Sequence, residues 1–133
     1  MATANTKYTY ALGKKAITTY HTLWDSTSNH SAVTVIDLSA DADSSNTNSI
    51  RIDRVYMECT AGIDAQLLFD ATSNEQFVQT ILGSTTIIDV DFTFGGRPGI
   101  VPSASGATGD VLVTTTSAAS GDEMLLIIWW GSD

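Results

Sequence analysis

Met124-Leu125-Leu126-Ile127-Ile128-Trp129-Trp130 is the stretch that decides the fold. It is apolar at every position and far shorter than the roughly 20 residues that cross a bilayer. A strand with one wet face would alternate, so this one belongs in the middle of a sheet or against another subunit on its second face. Working outward, Asp110-Val111-Leu112-Val113-Thr114, Ile87-Ile88-Asp89-Val90-Asp91-Phe92 and Ser31-Ala32-Val33-Thr34-Val35-Ile36-Asp37-Leu38 are also strand-like. No window of a dozen residues holds apolar positions at helical spacing. The chain therefore reads as all-β.

Eight antiparallel strands are expected in one domain of 133 residues, long enough for a single core between two sheets. They cover residues 15–24, 33–39, 50–60, 64–70, 76–82, 86–94, 110–116 and 123–130, separated by turns rich in Gly, Ser, Asn and Asp. An eight-stranded jelly-roll sandwich over residues 15–133 is the expected architecture. Residues 1–14, with Tyr8-Thr9-Tyr10, form an extended N-terminal arm or an extra strand. Within residues 50–60 the alternation changes phase: Ile50 and Ile52 share one parity, Val55, Met57 and Cys59 the other. A β-bulge at Asp53-Arg54 accounts for this, because one inserted residue flips every later side chain. Residues 95–108 hold too much Gly and Pro to extend a strand.

The net charge of −9, with six basic residues scattered along the chain, argues against nucleic acid, whose phosphates are bound by clustered Lys and Arg. Cys59 is the one cysteine, so no intrachain disulfide can form, and its parity places it on the apolar face. The N-terminus lacks an apolar run of signal-peptide length, which implies a soluble product made in the cytoplasm, with no membrane partner.

Catalytic machinery is not legible, and no enzyme activity or cofactor is expected. His21 falls in a strand and His30 in a turn beside Asn29, and both read as surface residues. There is no nucleophile-elbow motif, and Gly95-Gly96-Arg97-Pro98-Gly99 lacks the Lys-Ser/Thr and the helix of a phosphate loop. Asp41 and Asp43 with Ser45 match the opening of a Ca²⁺ loop. Asn46 and Ile52 stand where the turn glycine and closing Glu belong, so a solvated acidic loop is preferred over a metal site. Trp129 and Trp130 are adjacent in a strand and point to opposite faces. One fills the core; the other needs a covering loop, neighbour or ligand.

Five stretches carry a resemblance: Ile50-Arg51-Ile52-Asp53-Arg54-Val55-Tyr56-Met57; Ala65-Gln66-Leu67-Leu68-Phe69-Asp70-Ala71-Thr72; Phe92-Thr93-Phe94-Gly95-Gly96 followed by Pro98-Gly99; Gly106-Ala107-Thr108-Gly109-Asp110-Val111-Leu112-Val113-Thr114-Thr115; and Ala118-Ala119-Ser120-Gly121-Asp122. Over residues 50–130 this succession resembles the small jelly-roll proteins encoded among tailed-phage head genes, the capsid decoration or cement proteins. The resemblance implies a homotrimer on the outer surface of the virion, bridging major capsid protein subunits and opposing internal DNA pressure. Shape-matched burial on the order of 1,000 Å² per contact would suffice, with no chemistry. The expected contact residues to capsid or neighbouring subunit are Lys7, Tyr8 and Tyr10 of the arm, with Arg97, Trp129 and Trp130. A receptor- or carbohydrate-binding jelly roll of a phage tail or a lectin is the alternative reading.

Overall fold

Nine strands, one more than expected, pack as two antiparallel sheets among the described residues. The computed structural model describes residues 4–25, 29–43, 49–79 and 86–132. The elements are β1 (Ala4–Leu12), β2 (Lys15–Leu23), β3 (Val33–Ile36), α1 (Leu38–Asp41), β4 (Ile50–Cys59), β5 (Asp64–Phe69), β6 (Glu75–Gln79), β7 (Thr86–Asp91), β8 (Val111–Thr116) and β9 (Glu123–Ser132). One sheet has the order β1-β2-β9-β4-β7 and the other β3-β8-β5-β6. Hairpins within a sheet join β1 to β2 and β5 to β6; every other connection crosses from one sheet to the other. Strands pair in nested fashion, β2 with β9, β3 with β8, β4 with β7 and β5 with β6.

Strand β9 lies at the centre of the five-stranded sheet, as its apolar run requires. Met124, Leu126, Ile128 and Trp130 face the core. Beside them lie Val55, Met57 and Cys59 of β4 and Tyr20 of β2, opposite Val111, Val113, Ala65, Leu67 and Phe69 of the second sheet. Each such apolar side chain taken from water stabilises the fold by about 1.5–3 kcal/mol before entropy is charged against it. Trp130 keeps its indole satisfied, since Nε1 donates to Thr18 Oγ1 at 2.9 Å. Cys59 is buried as expected, and the loss of hydration pushes its thiol up to about 11.

The bulge in β4 falls where the phase change placed it. Ile52 opposes Trp130 and Arg54 opposes Trp129, with Asp53 the extra residue. Ile50, Ile52, Val55, Met57 and Cys59 are all buried as a result.

Two expected strand ends need correction, and the N-terminal segment takes the second of its two expected forms. It is the extra strand: β1 pairs with β2 along its whole length, from Ala4 opposite Leu23 to Leu12 opposite Lys15. Its alternating polar and apolar residues suit an edge strand, and a Gly13 turn at φ +60° folds it back. The second expected strand stops at Ile36 rather than Ser39. Leu38 turns into the core, its backbone N–H donates to Asp110 Oδ1, and a single turn of helix follows. The expected strand over 86–94 ends at Asp91, whose side chain accepts from the Thr93 amide and closes a turn. The expected tight turn at Gly83-Ser84 and the loop residues 44–48 lie outside the described residues. No helix among them is long and apolar enough to cross a membrane.

The irregular loop after β7 is tied down to both sheets. Ile52 and Ile100 exchange backbone hydrogen bonds of 2.8 and 3.0 Å, and Glu75 accepts from the Ser103 amide at 2.8 Å. Gly99 has φ +90°, and a Cβ there would stand 2.6 Å from the Ile52 carbonyl oxygen. No L side chain fits that approach. Gly99→Ala should therefore destabilise the protein by about 1–3 kcal/mol in equilibrium denaturation. A change under a few tenths of that would show that the loop moves away from β4 at no cost.

Candidate functional site

The registers align the outer face of the five-stranded sheet into transverse rows. One row reads Tyr10, Ile17, Trp129, Arg54 and Asp91 from β1 to β7; the next reads Tyr8, Thr19, Ile127, Tyr56 and Asp89. A third runs Thr6, His21, Leu125, Glu58 and Ile87. No described element covers this face. Tyr8 is 67% exposed and Leu12 69%, and Leu125, Ile127 and Trp129 of β9 are half-buried only by their lateral neighbours. A recess of about 470 Å³ opens among Tyr10, Leu12, Lys15, Ile17 and Trp129.

Electrostatics give the middle of the face a defined shape. The Arg54 guanidinium carbon sits 4.8 Å from the Trp129 ring centroid. Nε and Nη2 of the same group donate to the two oxygens of Asp89 at 2.9 and 2.7 Å. Those hydrogen bonds hold the Asp89 carboxyl below its usual range. Both partners stay in solvent, so the pair adds little stability and acts mainly by fixing Arg54 over the indole. The β-bulge makes this possible, because it brings Arg54 rather than Asp53 opposite Trp129.

The expected contact residues do not form one cluster. Tyr8, Tyr10 and Trp129 lie together on the outer face. Lys7 has the opposite parity and is bound to Asp41. Trp130 is 1% exposed and belongs to the core, so it is not available to a partner. Arg97 is exposed on the loop after β7, beside Phe94, at the far edge of the sheet. The acidic residues proposed for Ca²⁺ are held by protein donors: Asp41 accepts from Lys7 and from the Asp37 amide, and Asp43 accepts from the Gly13 amide at 2.7 Å. Among the described residues no group of three His, Cys, Asp or Glu side chains is placed to hold a metal ion.

Sequence reading missed Leu12, Ile17, Tyr56 and Arg54 on this face, and Ile87, Phe94 and Val101 near β7. A signal was present in β2, where Ile17 and Leu23 carry the parity opposite to the buried Ala16, Thr18, Tyr20 and Thr22. Apolar residues on a face that should be wet mark a contact surface.

His30 also departs from expectation, since it is buried rather than on the surface. Its ring packs 5.3 Å from Trp24 and 6.1 Å from Tyr20, centroid to centroid. Nε2 lies 3.0 Å from Thr22 Oγ1, and the His30 amide donates to Thr115 Oγ1 at 2.9 Å. Its neighbours in the sequence hid this, because the ring is buried by Tyr20 and Trp24 and by Thr22, earlier in the chain. Burial disfavours the charged imidazolium and lowers the His30 pKa from 6.5. The native state then binds fewer protons than the unfolded chain near that value. Stability contributed by neutral His30 is complete above pH 6.5 and is lost as pH falls through the lowered pKa. NMR titration should put the His30 midpoint below 6.5, and His30→Gln should flatten the acid limb of the stability curve; a midpoint at or above 6.5 contradicts this account.

No family model, no curated protein and no solved structure matches this chain.

Proposed function

We propose that this chain is a virion structural protein, a decoration or cement protein of a tailed-phage head. In this reading it acts as a homotrimer that bridges major capsid protein subunits from outside the shell and performs no catalysis. One observation carries the interaction role: the uncovered outer face of the five-stranded sheet, where Tyr8, Tyr10, Ile17, Ile127, Trp129, Tyr56 and Arg54 are aligned by register. Tyr, Trp and Arg are the residues that dominate protein interface energetics. The nested strand pairing, with β1 added beside β2, supports the jelly-roll reading on which the resemblance to cement proteins rests.

The carbohydrate-binding alternative gains nothing from the geometry. Trp129, the indole on the outer face, already has the Arg54 guanidinium over its ring, where a sugar would stack. Trp24 and Trp130 are buried.

Co-sedimentation with expanded and unexpanded head shells tests the proposal. The expected result is saturable binding to expanded shells at a fixed ratio per capsid subunit, with no signal on a glycan array. Saturable glycan binding with no retention on expanded shells would replace this reading by the lectin one.

A further inference from the structure

The loop that follows β7 returns to the place it leaves. The Phe92 amide donates to the Asp53 carbonyl at 2.8 Å, and Ile100 exchanges backbone hydrogen bonds with Ile52. Both ends are therefore held by neighbouring residues of β4 at its bulge, and the side chains of Phe92 and Ile100 pack against the core. Residues 93–99 project from that base as a compact loop with adjoining ends, an Ω-type arrangement. Three further contacts shape it. Asp91 Oδ1 accepts from the Thr93 amide at 2.8 Å and from the Thr93 hydroxyl. The Gly96 amide donates to the Thr93 carbonyl at 3.0 Å, and Gly99 passes close against the Ile52 carbonyl.

This loop presents two side chains that the fold does not use. Phe94 is 82% exposed, more than any other large apolar residue among those described, and it takes no part in the core. Three residues on, Arg97 is exposed as well. Among the described residues it is the one arginine outside an ion pair, since Arg51 is held by Asp53 and Arg54 by Asp89. Phe94 and Arg97 line one recess with Asp91, whose carboxylate is engaged by Thr93. Aromatic rings and guanidinium groups are enriched where proteins meet. A backbone already fixed at both ends loses little freedom when such side chains are seated in a partner.

We propose that this loop is a docking element, with Phe94 entering an apolar pocket of a partner protein and Arg97 meeting a carboxylate at the rim of that pocket. The assignment rests on the interaction reading above and names the surface that the shell protein has to offer. A pocket without a carboxylate would bury the guanidinium unpaired, at a cost that opposes the gain from the ring. A carboxylate without a pocket would leave Phe94 in water. Requiring both makes the contact selective. The loop leaves the sheet at its β7 edge, opposite the edge that carries Tyr8 and Tyr10, and so adds a contact separate from theirs.

Co-sedimentation of the full chain and its variants with expanded head shells tests this. Phe94→Ser and Arg97→Glu should each weaken retention by about tenfold or more. Both should keep the wild-type melting transition, because neither side chain belongs to the core or to an ion pair. Phe94→Leu, which still fills an apolar pocket, should be retained better than Phe94→Ser. Full retention of Phe94→Ser or of Arg97→Glu overturns the assignment and leaves the cement reading to the outer face. So does Phe94→Leu as weak as Phe94→Ser. A wild type that ignores expanded shells fails the cement reading and takes the loop assignment with it. Two controls address other occupants. A wild-type oligomer that dissociates on Phe94→Ser in light scattering would place the loop between copies. Flotation with phosphatidylglycerol vesicles that Phe94→Ser abolishes would give it to a lipid surface. Either result overturns the proposal.

Discussion

The pairing of β9 on both of its edges is the constraint from which the rest of the structure follows. Backbone groups in an apolar environment must be hydrogen-bonded, and a strand as apolar as β9 satisfies them only with partners on both sides. β2 and β4 supply those partners along nearly its whole length. Once β9 is central, the period of two divides its apolar run between the core and the outside. Met124, Leu126, Ile128 and Trp130 enter the core, and Leu125, Ile127 and Trp129 are left on the outer face. The outer apolar face is thus a consequence of how β9 is held, and the sequence of β9 makes no attempt to render it wet.

The bulge at Asp53 links that constraint to the surface. Without the extra residue, β4 could not pair with β9 and keep both Ile50/Ile52 and Val55/Met57/Cys59 in the core, because the two sets have opposite parity. The same insertion puts Arg54 beside Trp129 and leaves Asp53 free to accept from Lys15 and Arg51. One residue therefore reconciles the core and arranges the charged part of the exposed face.

Most of the architecture was legible because period-two patterning reports directly which face is buried. Alternation located the strands, the centrality of β9, the bulge and the buried Cys59. It was mute where the structure depends on contacts distant in sequence. Nothing local in His30 says that it will lie under Trp24 and Tyr20, or that Thr115 will receive its amide across 85 residues. The end of β3 at Ile36 depends on Asp110, also remote. Adjacent tryptophans must diverge, but which one enters the core is set by the register of β9 against β2, which places Trp130 opposite Ala16 with its indole bonded to Thr18. The surface candidates divided accordingly: Tyr8, Tyr10 and Trp129 share a face, while Lys7 and Trp130, chosen by residue type alone, point the other way.

Several of the groups that sequence reading weighs for chemistry are engaged within the fold. His30 is sealed at the end of the sandwich, Cys59 is held as a thiol in the core, and Asp41, Asp43 and Asp53 are engaged by lysine, arginine and backbone donors. The outer face of the five-stranded sheet keeps its apolar area in solvent, with two tyrosines and a leucine along the edge strand β1. Apolar area of that kind supplies the driving force of association, and complementary charge selects its orientation.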